Sequence, residues 1–232
     1  LLKLDTLFSE KPTAILVGGS GLYVDAVVNG LDHFPDIEKE IRETLNTQLD
    51  NNGLQLLQQE LMRVDPLYYK TMDTENPRRV IRALEIYRAT GKPYSSFLKA
   101  KAANRNFETL YIGLTEDRPV VYERINKRVD IMLENGLLEE VKKLYPHRDL
   151  NALQTVAYRE LFQYFDGTHS LEKAVEEIKK NTRRFAKRQG TWFRKNQHIH
   201  WFDYTTNSEA IIEFIKKKDE LYRKIQYAKK QS

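Results

Sequence analysis

The sequence predicts an α/β protein, with a parallel-sheet core interrupted by an all-helical insertion. Thr13–Val17 (T-A-I-L-V) is a short, continuous apolar run, the pattern of a strand buried on both faces. It leads through Gly18-Gly19-Ser20-Gly21 into the helical L-Y-V-D-A-V-V, giving strand, glycine turn and helix in succession. From about Pro35 to Thr90 the texture changes to charged amphipathic helices with no strand-like run among them. An insertion between two parts of an α/β domain accounts for this better than continued βα alternation. Strand-like runs return at Glu108–Leu114 and Ile199–Asp203. The division that follows is 1–34 core, 35–107 helical insertion, 108–204 return to the core, and 205–232 a C-terminal helical tail.

Composition bounds the function classes. The chain has 232 residues, 41% of them hydrophobic, enough for a real core, and its formal net charge of +5 suggests an acidic partner. It has no cysteine, which excludes disulfides and cysteine-based zinc sites and agrees with a reducing, cytoplasmic setting. No apolar run approaches the roughly 20 residues needed to cross a bilayer, and the start lacks a signal-peptide pattern. A soluble cytoplasmic monomer is the expectation. Leu1, Leu4, Leu7 and Phe8 mark one face of a helix, so the chain reads as beginning partway through a domain.

The glycine turn lets backbone approach a ligand, and a helix N-terminus with the Ser20 hydroxyl can donate to an oxyanion. A tight βα turn without a ligand has the same composition. Neither G-x-x-x-x-G-K-[ST] nor G-x-G-x-x-G occurs, so no complete phosphate cradle is present by motif. The insertion reads as helices over Ile37–Asp50, Leu54–Asp65, Pro66–Met72 and Pro77–Thr90. Asn76-Pro77 is a good N-cap and first helical position, and Gly91-Lys92-Pro93 ends that helix. Val80, Ala83, Leu84 and Tyr87 form its packing face. Arg78, Arg79 and Arg82 then cluster in its first turns, where the macrodipole is already positive. Either an anion site or salt bridges to Glu75 or Glu85 answers that arrangement. Lys99–Asn106 reads as a basic, flexible return.

Beyond the returning strand, Asp117–Pro119 starts a helix with Val121, Ile125, Val129 and Met132 inward, closed by Gly136. Leu137, Val141 and Leu144 mark a short amphipathic helix, and Arg159 and Glu160 form an ionisable pair at a loop-to-helix junction. From Leu171 a helix carries the stripe Leu171, Val175, Ile178, Thr182, Phe185, Gln189 and Trp192 at a period of about 3.6 residues. Phe185 and Trp192 are expected to hold this helix to the core. Within it, Ile178–Lys195 has eight basic residues and no acidic one. A solvated face is the ordinary reading of such a run. Arginine in place of lysine, with aromatics interleaved, favours phosphate and base contacts instead. His198 and His200 would share one face of the last strand, with no third ligand beside them. No Ser-His-Asp or Cys-His arrangement and no acid–base carboxylate pair stands out.

Several segments together resemble the bacterial tRNA dimethylallyltransferase (tRNA isopentenyltransferase) family. They are V-G-G-S-G-L-Y (Val17–Tyr23), P-D-I-E-K-E-I-R (Pro35–Arg42), Asp65-Pro66, N-P-R-R-V-I-R-A-L-E-I-Y-R-A-T-G-K-P (Asn76–Pro93), Tyr122–Val141, L-Q-T-V-A-Y-R-E-L (Leu153–Leu161) and R-R-F-A-K-R-Q-G-T-W-F-R (Arg183–Arg194). They run in the family's order through most of the chain up to Tyr204. The resemblance implies an incomplete P-loop NTPase-like core with a helical insertion that grips the tRNA anticodon stem-loop. It implies transfer of a dimethylallyl group from dimethylallyl diphosphate, with Mg²⁺ on the diphosphate, to N6 of the adenosine 3′ of the anticodon in tRNAs reading U-starting codons. The target base would leave its stack to meet the donor.

By the same resemblance, Ser20, Arg42, Arg78, Arg79, Arg82, Arg183, Arg184, Lys187, Arg188 and Gln189 match tRNA-contacting positions. Gly19, Ser20 and Arg159 match donor-phosphate positions, with Arg159 steadying the departing pyrophosphate. Ser20 replaces the usual Thr, and Ala157 replaces the Gly common before the Tyr-Arg pair. The family's P-loop and its D-S-x-Q segment with the proposed general base lie upstream of the glycine turn, and neither motif is in this sequence. The expectation is therefore a piece of a longer enzyme, without metal ligands of its own and inactive alone. The alternatives are an RNA-binding piece without catalysis and a P-loop phosphotransferase sharing the core.

Overall fold

The computed structural model describes residues 1–98 and 104–231. In order, the elements are α1 (Leu2–Glu10), α2 (Gly21–Val28), α3 (Lys39–Asn52), α4 (Leu54–Val64), α5 (Pro66–Thr71), α6 (Pro77–Thr90), β1 (Tyr111–Thr115), α7 (Arg118–Glu134), α8 (Leu137–Leu144), α9 (Tyr158–Phe165), α10 (Leu171–Phe193), β2 (Ile199–Asp203) and α11 (Ser208–Gln231). A parallel strand pair among helices puts the protein in the α/β class. Most of the basic return, 99–103, lies outside the described residues. Among the described residues no helix is long and apolar enough to cross a membrane.

The described chain divides into two compact units, Leu1–Ile15 with Leu22–Phe107, and Leu16–Gly21 with Glu108–Ser232. In the first, α3 and α4 pack on α6. Leu45, Leu57, Leu61, Val80, Ala83 and Leu84 make its core. The predicted packing face of α6 is widened by Ile81 and Ile86, because two helices cover it rather than one. Its ends follow the sequence signals. The Asn76 side chain accepts the Arg79 N–H at 3.4 Å, and Gly91 takes a left-handed φ of 69°. Asp65 caps α5 and also accepts from Ser95 N and Oγ at 2.7 and 2.8 Å, tying the 3₁₀ turn Tyr94–Phe97 to that helix.

The start of the chain departs from the expected division. Residues 1–15 and 22–34, expected in the α/β core, belong to the helical unit. Phe8 packs on Phe107, and the Arg105 guanidinium donates to the carbonyls of Ala26 and Val28 at the end of α2.

In the second unit, β1 and β2 pair in parallel, Tyr111 opposite Ile199 and Thr115 opposite Asp203. Tyr204 N–H extends the ladder to the Thr115 carbonyl. Helices α7, α8, α9 and α10 enclose a core of Val129, Leu137, Val141, Leu161, Phe162, Ala174 and Ile178. The strand expected at Thr13–Val17 is not one: the run has no regular secondary structure and no ladder partner among the described residues. Ile15 and Val17 are 86% and 87% exposed. An apolar run makes a strand only where a neighbour supplies hydrogen bonds, and the described sheet is a two-stranded one.

Candidate functional site

The second unit brings together two segments that the sequence keeps about 170 residues apart. The Gln189 side-chain amide donates to the Gly19 carbonyl at 2.7 Å. A Cβ added at Gly19 would stand 1.7 Å from Gln189 Nε2, and one at Gly21 would stand 2.2 Å from the Trp192 indole. The two glycines are therefore explained by close approach: any side chain there would push the turn off α10. Ser20, between them, is exposed. The turn rests on the C-terminal half of α10, so the lower part of that helix's stripe packs, though on a glycine turn rather than on a core.

Phe185 and Trp192 do not anchor the helix as expected. They are 49% and 44% exposed, and the buried residues of α10 are Ala174 and Ile178. The first half of the helix packs on α7 and α9, and the second half projects past them. Both aromatic rings are thereby part exposed beside cations. The Arg188 guanidinium lies 5.8 Å over the Phe185 ring. Arg184, Lys187, Arg188, Thr191, Trp192 and Lys195 line one shallow depression.

Seven of the eight cations of this stretch divide by partner. Lys179 pairs with Asp130 at 2.6 Å, and Arg183 donates to Asn126 Oδ1 at 2.6 Å, so both fasten α10 to α7. Lys180 pairs with Glu177, whose carboxyl is held below the usual range by hydrogen bonds from Lys180 and Lys173. Arg184 makes only a long contact, 3.4 Å, to Asn181. Lys187, Arg188 and Lys195 are exposed, with no acidic partner among the described residues. Their place near the helix C-terminus suits the negative end of the macrodipole. The cationic surface is thus narrower than the sequence indicates, running from Arg184 to Lys195.

Arg159 is exposed in the first turn of α9, and its neighbour Glu160 is 4% exposed. The two do not pair. Glu160 Oε2 accepts the Ala157 N–H at 2.8 Å and Oε1 accepts from Asn181 Nδ2 at 2.8 Å, so the carboxylate turns inward while Arg159 faces out. Ala157 has φ 82° and ψ −51°, the only positive-φ residue other than glycine among those described. That is the strained hand of a γ-turn, and an L side chain there costs about 1–3 kcal/mol. The Ala in place of Gly is therefore a strained position held by a buried carboxylate. A Glu at the third helical position reaching back to the cap N–H is half of a capping box.

The remaining candidates lie in the first unit. Arg78 and Arg79 are exposed at the start of α6. Arg82 and Arg42 both pair with Glu85, at 3.2 and 3.5 Å, whereas Glu75 accepts from Gln58. His200 packs edge-on against Phe214, and the His198 backbone N–H bonds to Asn196. Among the described residues no three His, Asp or Glu side chains converge to hold a metal ion.

The chain is similar to known proteins over most of its length. The family model described as IPP transferase matches residues 2–196. The tRNA dimethylallyltransferase of Christiangramia forsetii is 56% identical over 218 residues, covering 94% of this chain and 72% of that protein. That of Flavobacterium psychrophilum is 54% identical over 224 residues, covering 94% and 73%. Among solved structures, the full-length tRNA isopentenylpyrophosphate transferase of Bacillus halodurans superposes with a TM-score of 0.62 at 38% identity, covering 97% of this chain and 73% of that one. A eukaryotic dimethylallyltransferase acting on tRNA gives 0.62 at 25% identity, covering 84% and 54%. With the match running through both units, the chain belongs to the IPP transferase family.

Proposed function

We propose that this chain serves tRNA modification, the transfer of a dimethylallyl group from dimethylallyl diphosphate to N6 of the adenosine 3′ of the anticodon, in tRNAs reading U-starting codons. The observation that carries the reading is the glycine turn seated on the cationic, aromatic half of α10, in a chain of this family. In the reaction the C1–O bond to diphosphate breaks, the leaving group takes the electron pair, a C–N6 bond forms, and N6 passes one proton to water or to the departing diphosphate. Arg159, exposed and free of its neighbouring carboxylate, is suited to meet the diphosphate as its charge grows. Arg184, Lys187 and Arg188 take the RNA backbone, and Phe185 and Trp192 offer faces for unpaired bases. Mg²⁺ is carried by the donor's diphosphate oxygens rather than by a protein cage.

The test is incubation of the full-length protein with dimethylallyl diphosphate, Mg²⁺ and a tRNA reading a U-starting codon, followed by nucleoside mass spectrometry. Isopentenyladenosine is the expected product, and Arg159→Ala lowers turnover far more than tRNA affinity. Arg184→Ala and Arg188→Ala weaken tRNA binding and flatten its salt slope. Equal effects on both parameters at all three positions would overturn the division of roles. A second reading, RNA binding without catalysis, is favoured by the cationic, aromatic half of α10 taken by itself. It predicts salt-dependent binding of an anticodon stem-loop and no product.

A further inference from the structure

Glu85 sits beneath a surface read as binding a polyanion, where a negative charge works against the ligand. Its residue exposure is 5%, and its burial is of an unusual kind. Oε1 accepts from Arg82 Nη1 at 3.2 Å. Oε2 has no hydrogen bond, only an ion-pair approach of 3.5 Å to Arg42 Nε. Replacing a buried ion pair by apolar groups is often neutral or stabilising, so stability alone does not account for a carboxylate here with one unsatisfied oxygen.

The geometry around it does. Arg42 comes from α3 and Arg82 from α6, and Glu85 pairs with both. The side chains of Arg42 and Arg82 remain 54% and 38% exposed, while that of Glu85 is 7% exposed. Arg82 is thus hydrogen-bonded on its inner side and Arg42 is drawn to the same carboxylate by charge, and both are open to solvent outward. Arg82 is held on a second side, its guanidinium 5.2 Å over the Phe34 ring. That ring stacks on Tyr94 at 4.9 Å, and Ser95 beside it is fastened to buried Asp65. Arg78 and Arg79, one turn earlier, have no such support and are simply exposed.

We infer that Glu85 is a positioning residue, fixing Arg42 and Arg82 as a preset pair that meets neighbouring phosphates of the RNA backbone. The inference rests on the RNA-binding reading above. Two long side chains ordered before binding lose less entropy on contact, and a guanidinium with one edge occupied offers its remaining donors in a fixed direction. Charge and positioning predict opposite signs for one substitution. Glu85→Gln raises the net charge by one, so charge alone predicts tighter RNA binding; loss of positioning predicts weaker.

The experiment measures binding of a synthetic RNA hairpin with an anticodon stem-loop sequence to this chain and to Glu85→Gln, Arg42→Ala, Arg82→Ala and the triple variant. Nuclear magnetic resonance of the arginine Nε–H groups is read alongside. Glu85→Gln is expected to bind roughly fivefold to tenfold more weakly, with the Arg42 and Arg82 Nε–H signals broadened in the absence of RNA. Once both arginines are alanine, adding Glu85→Gln should change nothing further. Equal or tighter binding by Glu85→Gln, or unchanged Nε–H signals, overturns the inference while leaving the RNA reading intact. If Arg42→Ala and Arg82→Ala bind like the parent, or no protein binds the hairpin, the RNA reading at this surface fails and the inference falls with it. Thermal unfolding of Glu85→Gln separates loss of fold from loss of orientation.

Discussion

Each unit buries one glutamate on a helix, and the two are answered in opposite ways. Glu160, on α9, is 4% exposed and satisfied on both oxygens by neutral donors, the Ala157 N–H and the Asn181 amide. Glu85, on α6, is 5% exposed and faces two arginines, with one oxygen left without a hydrogen bond. Both lose hydration on folding. Hydrogen bonds to fixed neutral groups return that loss to the fold, since they lock a strained turn in place. Pairing with half-exposed cations returns it to the surface, since what is gained is the direction in which those cations point. The difference marks Glu160 as a residue of architecture and Glu85 as one of presentation.

Stability measurements can break that distinction. Glu160→Ala leaves the buried Ala157 N–H and the part-buried Asn181 amide without an acceptor, and the expected loss is about 3 kcal/mol. In a chain of this size that lowers the Tm by roughly 6–12 °C. Glu85→Ala frees two arginines that already reach water, and its loss should stay near 1 kcal/mol. Matching Tm changes for the two variants would remove the contrast. Next in size is Asn181→Ala, which strips one donor from the buried Glu160 carboxylate and is expected to cost about 2 kcal/mol by denaturant unfolding. A loss near zero would mean that Glu160 finds water in its place.

The third measurement has the opposite sign. Ala157→Gly relieves the positive φ and should raise stability by about 1 kcal/mol, and in that background Glu160→Ala should cost less than in the parent. Strict additivity in this double-mutant cycle would show that the carboxylate does not serve to hold the turn.

What the sequence disclosed and what it hid follow one physical line. Local signals were legible: the Asn76-Pro77 cap, the Gly91 stop and the bounds of β2 depend on residues near in sequence. Non-local outcomes were not. Thr13–Val17 has the composition of a strand, but a ladder needs a partner that composition cannot name. The α10 stripe gives an angle around the helix axis and not the point at which α7 and α9 stop covering it, so Phe185 and Trp192 were placed inside when they lie half outside. The candidate cations on α10 were identified as a group, yet which of them are consumed by packing depended on Asp130 and Asn126, about 50 to 60 residues upstream. Arg159 and Glu160 looked like a pair because they are adjacent, and successive residues on a helix point in different directions.

The smallest effect concerns tyrosines, where the two units again differ in cause. In the first unit, burial pushes the Tyr68 and Tyr94 phenols above their ordinary range. In the second, Tyr158 and Tyr145 are raised chiefly by donating to carboxylates, those of Glu140 and Asp166. A phenol whose folded pKa is raised favours its protonated form in the native state. Its contribution is therefore fully present below the unfolded value, about 10, and is lost as pH rises through the folded pKa. Both units should weaken in strong alkali, but only the second through a carboxylate. Glu140→Gln replaces an ionised acceptor by a neutral one, so the Tyr158 phenol should return toward the ordinary range while Tyr68 and Tyr94 stay high. Phenolate absorbance followed through an alkaline titration checks this, with Tyr158→Phe identifying the phenol that moves. If Glu140→Gln leaves the titration curve unchanged, burial governs the phenols of both units and the contrast between them is confined to the glutamates.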